Sequence, residues 1–213
     1  MGVSMSTRHW VLAFALLVFS ASGHANVVAG KDYNLLPAPQ RTDSPGKVEV
    51  IEFFSYGCPH CYEFHDHVMA WAGKLPADVV FKRVAVGFGQ KAWAELAKAY
   101  YALEATGDLK KVDTALFDAV HKQRMPLADQ RSITEWVGKH GVDTAKFSAA
   151  YNSFGVNTRT AQSDRMVVSY QVSGIPMLVV NGKYTPLGRT YDEMLGITSE
   201  LVAKAKSEVA AKR

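Results

Sequence analysis

Cys58 and Cys61 are the only cysteines among 213 residues, and they stand together as Cys58-Pro59-His60-Cys61. A bridge across two intervening residues removes little entropy from the unfolded chain, so it is a poor staple. The pair is better explained as chemistry: two sulfurs that form and break a disulfide reversibly. Pro59 suits the first turn of a helix, which places both thiols at a helix N-terminus. There the unpaired N–H groups and the positive end of the helix dipole favour a thiolate on the first cysteine. His60 adds an N–H or a charge beside it. Cys58 is therefore the expected nucleophile and the more exposed of the two. Each unit by which its pKa falls below ambient pH stabilises the dithiol form by about 1.36 kcal/mol. For a two-electron couple that is about 30 mV of added oxidising power.

The same spacing also occurs as half of a zinc site or as an inert bridge. A structural zinc site wants four ligands. His65 stands four residues after Cys61 and His67 two further on, but a second ligand pair is missing. Surface histidines are the plainer reading of both. A module holding a metal such as copper would bring methionine clusters to the cysteines, and the sequence has none there. Gly174-Ile175-Pro176 precedes an apolar run, and Pro176 has no N–H for a strand ladder. It is either an ordinary trans proline at a strand start or a cis peptide. The cis form would pack against the disulfide and offer the Ile175 backbone to a substrate strand; the residues alone leave both open. Glu52, between Ile51 and Phe53, is either a strand-end surface carboxylate or a buried acid, and buried carboxylates are rare without a role.

The elements that must position these residues follow from pattern. Lys47 to Phe54 is β-branched and aromatic and reads as a buried strand. Ser55-Tyr56-Gly57 turns the chain into a helix from about Pro59, with Phe64, Val68, Met69 and Ala72 at helical spacing and Gly73 and Pro76 ending it. Val79 to Val86 is a second strand. The next 80 or so residues read as helices only. These run from Lys91 to Thr106, Asp108 to Lys122, Ser132 to about Gly141, Asp143 to about Tyr151, and about Val156 to Tyr170. Ser132 and Glu135 read as the capping box of the third of these. Met177 to Val180 is a strand, Asn181-Gly182 a two-residue hairpin turn, and Lys183 to Thr185 the return strand. Asp192 opens the last helix. The class is α/β, with residues 26–88 and 171–213 as the mixed domain and 89–170 as an inserted all-helical subdomain.

The first 25 residues stand apart. Arg8 is their only charge, counting histidine as neutral, and Trp10 to Phe19 is an apolar run of ten that ends in small residues up to Ala25. That pattern reads as a secretory signal segment rather than a buried helix of the mature fold or an uncleaved anchor, and it is too short to span a bilayer, which needs about 20 apolar residues. No cysteine lies near the cleavage site for a lipid anchor. Removing 25 of 213 residues leaves 188 starting at Asn26, and losing Arg8 takes the net charge from +4 to +3. The lysines are scattered along helices rather than gathered in the stripe a nucleic-acid binder needs, so nucleic acid is not an expected partner.

The segment from Glu52 to Phe64, with Cys58-Pro59-His60-Cys61 inside it, resembles the active-site segment of the DsbA family of periplasmic thiol:disulfide interchange proteins. Gly174 to Tyr184 resembles that family's cis-proline segment, and the helical stretch between them resembles its insertion into a thioredoxin fold. The likeness covers essentially the whole mature chain. It implies a thioredoxin-like fold and an oxidising disulfide with a strongly depressed Cys58 pKa. It also implies that Cys58 is the attacked sulfur and Cys61 the resolving one, with Pro59 and His60 tuning the pair. By the same likeness Pro176 is the cis proline, Ile175 offers its backbone to substrate, and Glu52 is a buried acid that accepts a proton from Cys61. Many members have Val where this chain has Ile175, which touches only fine substrate preference. The implied setting is the periplasm, with reduced, unfolded exported proteins as substrates. A DsbB-like membrane quinone reductase would be the reoxidant. The protein would act as a monomer, without cofactor or metal. The rivals are an isomerase or reductase of the same fold. Isomerases usually carry an N-terminal dimerisation domain, and too little chain precedes Lys47 for one. Thioredoxin-type reductants lack the helical insertion and usually carry another dipeptide between the cysteines.

Overall fold

Val48–Phe54, VEVIEFF, is buried at every position. A strand buried on both faces lies inside a sheet with a neighbour on each side, and this one does, between two other strands. In the computed structural model, which describes residues 27–211, the sheet has five strands in the order β1-β5-β4-β2-β3. The strands are β1 (Tyr33–Leu35), β2 (Val48–Phe54), β3 (Val79–Ala85), β4 (Met177–Val180) and β5 (Tyr184–Pro186). β2 runs parallel to β3 and antiparallel to β4. Residues 1–25, read from the sequence as a signal, lie outside the described residues.

Helix α1 (Pro59–Ala72) follows β2 and packs with the final helix α7 (Tyr191–Ala210) over one face of the sheet. Phe64 and Val68 of α1, Leu201 and Val202 of α7, and Val48, Val50 and Leu178 of the sheet form one buried cluster. Five helices lie between β3 and β4: α2 (Lys91–Thr106), α3 (Leu109–His121), α4 (Gln130–Lys139), α5 (Thr144–Tyr151) and α6 (Phe154–Ser169). α6 leads back to the opposite face of the sheet, where Met166 and Val167 pack against the cluster of Ile51, Phe53, Val84 and Val179. The largest cluster joins the helices to the sheet: Leu103, Leu116, Phe117, Ile133, Trp136 and Phe147 share it with Phe54, Tyr56, Cys58 and Cys61. The helical region is thus packed directly against the two sulfurs.

Several boundaries differ from the sequence reading. α4 begins at Gln130 with Asp129 as its cap, and Ser132 is the third helical residue of the capping box rather than its first member. The aspartate three residues earlier takes the Ser132 N–H at 2.8 Å. α6 starts at Phe154, capped by Ser153, and α7 at Tyr191, capped by Thr190. β1 was invisible, because three residues held by one antiparallel partner leave no periodic pattern. The Asn181-Gly182 turn forms with positive φ at both residues, 52° and 63°. Its first ladder pair is Val180–Tyr184, which leaves Lys183 in the connection.

Candidate active site

β2 ends at Phe54 and the chain turns through Ser55, Tyr56 and Gly57 into α1. Ser55 organises the turn: its hydroxyl takes the Gly57 N–H at 3.2 Å and its carbonyl takes the Cys58 N–H at 3.1 Å. Gly57 is required by crowding, since a Cβ there would lie 2.1 Å from the Trp93 indole nitrogen. Cys58 is the N-cap of α1, and its own sulfur accepts the capping hydrogen bond from the Cys61 N–H at 3.4 Å. Pro59 takes the first helical position, where no N–H is needed.

Both sulfurs are covered: Cys58 is 4% and Cys61 0% exposed, and both are free thiols in this structure. The Cys58 thiol is pulled from an ordinary 9.0 down to about 6. The largest cause is a hydrogen bond from the Cys61 side chain; burial opposes it, and the N–H groups of Cys61 and His60 and then the His60 charge add to it. Burial pushes the Cys61 thiol up, as does its neighbour Cys58, and the Glu52 charge adds a smaller push in the same direction. The two sulfurs are therefore strongly unequal. The first is poised as a thiolate and the second is held as a thiol that donates to it.

The His60 side chain is 74% exposed, and its Nδ1 lies 3.4 Å from Glu63 Oε2. Its backbone N–H weighs more on Cys58 than its ring does. Across the site the Ile175–Pro176 peptide is cis, and the Cys58 thiol reaches the Ile175 carbonyl oxygen at 3.5 Å. Cys58, Pro59, His60, Cys61 and Ile175 are thus brought together from α1 and the start of β4, with Pro176 next in the chain.

Glu52 is fully buried, and burial raises its pKa against the pull of Arg83. Arg83 is its register partner on β3 and donates Nε to Oε2 at 2.9 Å. The same guanidinium donates Nη1 to Asp113 of α3 at 2.7 Å and lies 3.8 Å from the centroid of the Phe54 ring. Asp113 also accepts from the Tyr56 hydroxyl. One buried cation therefore ties two carboxylates and, through Asp113, the turn before Cys58. Burial depresses the pKa of His65, whose Nε2 faces the Thr114 hydroxyl at 3.1 Å; His67 pairs with Asp192 at 3.1 Å. Neither histidine converges on the cysteines, and among the described residues no three His, Cys, Asp or Glu side chains are placed to share a metal ion. No helix among the described residues is long and apolar enough to cross a membrane.

Arg83, Trp93, Asp113 and His121 escaped the sequence reading. Asp113 did leave a trace: it stands in the apolar stripe Val112, Leu116, Phe117 of α3, where an acid needs a buried partner. The others show nothing without the fold.

Comparison with known proteins agrees with this geometry. The profile of the DSBA-like thioredoxin domain matches residues 69–196. The thiol:disulfide interchange protein DsbA of Azotobacter vinelandii is 44% identical over 160 residues, covering 75% of this chain and 74% of that protein. Its counterpart in Pseudomonas aeruginosa is 40% identical over 174 residues, 82% of each chain. The crystal structure of Pseudomonas aeruginosa DsbA superposes with a TM-score of 0.82 at 37% identity, covering 88% of this chain and 97% of that one. With a capping sulfur at the head of α1, a carbonyl across from it and a five-helix stretch packed on both, this chain belongs to the DsbA family of thioredoxin-fold proteins.

Proposed function

We propose that the protein is a thiol:disulfide oxidoreductase that donates the Cys58–Cys61 disulfide to newly exported proteins. The observation that carries the reading is the inequality of the sulfurs: Cys58 is held near 6 by donors gathered at the end of α1, while Cys61 is held up as a thiol. A stabilised thiolate is a good leaving group and an unstable disulfide partner, so the bridge is handed on. A substrate thiolate attacks the Cys58 sulfur, the Cys58–Cys61 bond breaks, and Cys61 leaves with the electron pair and takes a proton. A second substrate thiolate then attacks the substrate sulfur of the mixed disulfide, and Cys58 departs as thiolate. Two electrons pass to the protein and one disulfide to the substrate. In this reading Glu52, whose charge is felt by Cys61, is the group that exchanges its proton, with Arg83 setting the charge it works against. The Ile175 carbonyl, facing Cys58, and Pro176 line the place where the substrate strand lies.

In this reading residues 1–25 are a cleaved signal and the protein works in the periplasm. Residues 26–88 and 171–213 form the redox domain and 89–170 the inserted one. A DsbB-like membrane quinone reductase restores the disulfide. The test is equilibration of the purified protein with glutathione, together with oxidation of a reduced, unfolded substrate. An oxidising equilibrium, no turnover by Cys58→Ala and trapped mixed disulfides with Cys61→Ala are expected. An equilibrium near that of a thioredoxin-type reductant, or turnover by Cys58→Ala, would remove the reading.

A further inference from the structure

One face of α3 holds the reactive turn. Asp113, Phe117 and His121 recur every four residues, so they share a stripe of the helix. Asp113 accepts from the Tyr56 hydroxyl, the Phe117 ring stands edge-on to the Tyr56 ring at 4.7 Å, and His121 Nε2 lies 2.7 Å from the Tyr56 carbonyl oxygen. A carbonyl oxygen only accepts, so Nε2 carries the proton and His121 is the donor. The ring is half-buried and stacked on Tyr62, with centroids 4.9 Å apart and planes 15° apart. Tyr62 directly follows Cys61. A single imidazole therefore ties the peptide before Cys58 to the helix after Cys61.

We propose that His121 is a positioning residue for disulfide exchange: its Nε2–H, donated to the Tyr56 carbonyl, fixes the turn that sets the Cys58 sulfur against the end of α1. This rests on the disulfide-donor reading above. Ser55 holds the N–H groups of Gly57 and Cys58, and Asp113 and Phe117 hold the Tyr56 side chain; His121 takes the remaining side, the Tyr56 carbonyl. In the disulfide form the S–S bond itself fixes Cys58 relative to Cys61. In the dithiol form that bond is gone, and the hold of the Cys61 N–H on the sulfur, at 3.4 Å, depends on where the turn places Cys58. Losing the donor therefore penalises the reduced form selectively. A residue that only filled space would affect both redox forms alike.

Two substitutions separate donation from packing. His121→Phe keeps a ring on Tyr62 and removes the donor, whereas His121→Gln keeps an N–H donor and removes the ring. The measurements are the Cys58 thiolate absorbance against pH and the equilibrium with glutathione, with denaturation of each oxidised form as the check on folding. His121→Phe is expected to raise the Cys58 titration and make the protein a weaker oxidant by about two- to tenfold, the span of one uncharged hydrogen bond. His121→Gln should stay within about twofold of wild type. If oxidised His121→Phe does not fold, His121→Ala takes its place. A wild-type titration for the donorless variant overturns the proposal, and so do equal shifts in both variants. A wild-type protein that equilibrates as a reductant overturns the donor reading itself, a result distinct from a wild-type oxidant with an unshifted His121→Phe.

Discussion

Cys58 caps α1 with the atom that does the chemistry, and this gives its titration a consequence for stability. The thiol titrates near 6 in the folded, reduced chain and near 9.0 when unfolded. A depressed acid contributes its full stability above the unfolded value and loses it as pH falls toward the folded one. The reduced form should therefore gain on the oxidised form as pH rises from 6 to 9, by at most about 1.4 kcal/mol per pH unit. Urea denaturation of both forms across that window checks it; a gap that stays flat or shrinks would count against the thiolate. His60 lowers this titration, and the Glu63 carboxylate beside it is expected to act with the opposite sign. The Glu63 carboxylate is held by the Tyr191 hydroxyl at 2.8 Å and faces His60. Glu63→Gln removes a negative charge near the site and should move the Cys58 titration down. His60→Ser should move it up, and by less than the whole depression, because the N–H groups and Cys61 remain. A shift of the same sign in both variants would refute this assignment. The two cysteines and their role were legible because spacing alone makes them a poor staple. The ranking of the stabilisers was not, because it depends on where the His60 ring points.

At the scale of elements, the strands and helices that carry periodicity were legible in the sequence. β2, β3, α1, α2 and β4 appeared within a residue or so of their ends. What the sequence could not show is the joining of elements through Arg83. Glu52 could be suspected of burial from its place between Ile51 and Phe53. Its cation lies 31 residues away on a neighbouring strand, and the second carboxylate another 30 beyond that. Arg83 is 6% exposed in its side chain, and removing one partner of a buried ionic group leaves the others uncompensated. Arg83→Met should therefore cost about 3–5 kcal/mol in urea denaturation. A loss below about 1 kcal/mol, the usual worth of an exposed pair, would mean that water reaches the cluster.

For the whole molecule, the sequence reads as a mixed domain with an all-helical subdomain inserted into it. The structure packs them as one around the sulfurs, because a single buried cluster runs from Trp136 and Phe147 to Phe54, Cys58 and Cys61. Such sharing opposes independent melting. Unfolding of the oxidised protein should be one transition, with tryptophan fluorescence and far-ultraviolet circular dichroism coincident. Trp93 and Trp136 sit in the helical part and Trp71 in α1, so the fluorescence samples both sides. Two separated midpoints would show that the shared cluster does not couple them.

The capping bond at the head of α1 also turns one amide into a gauge. The Cys61 proton points at the Cys58 sulfur, and the charge of that sulfur changes each time the thiolate forms, couples to another chain or returns to a bridge. Its nuclear magnetic resonance frequency should therefore take separate values for thiol, thiolate, mixed disulfide and closed disulfide. The state of the reaction can be followed at that one resonance, in an unlabelled site, with no dye or reporter attached to either cysteine.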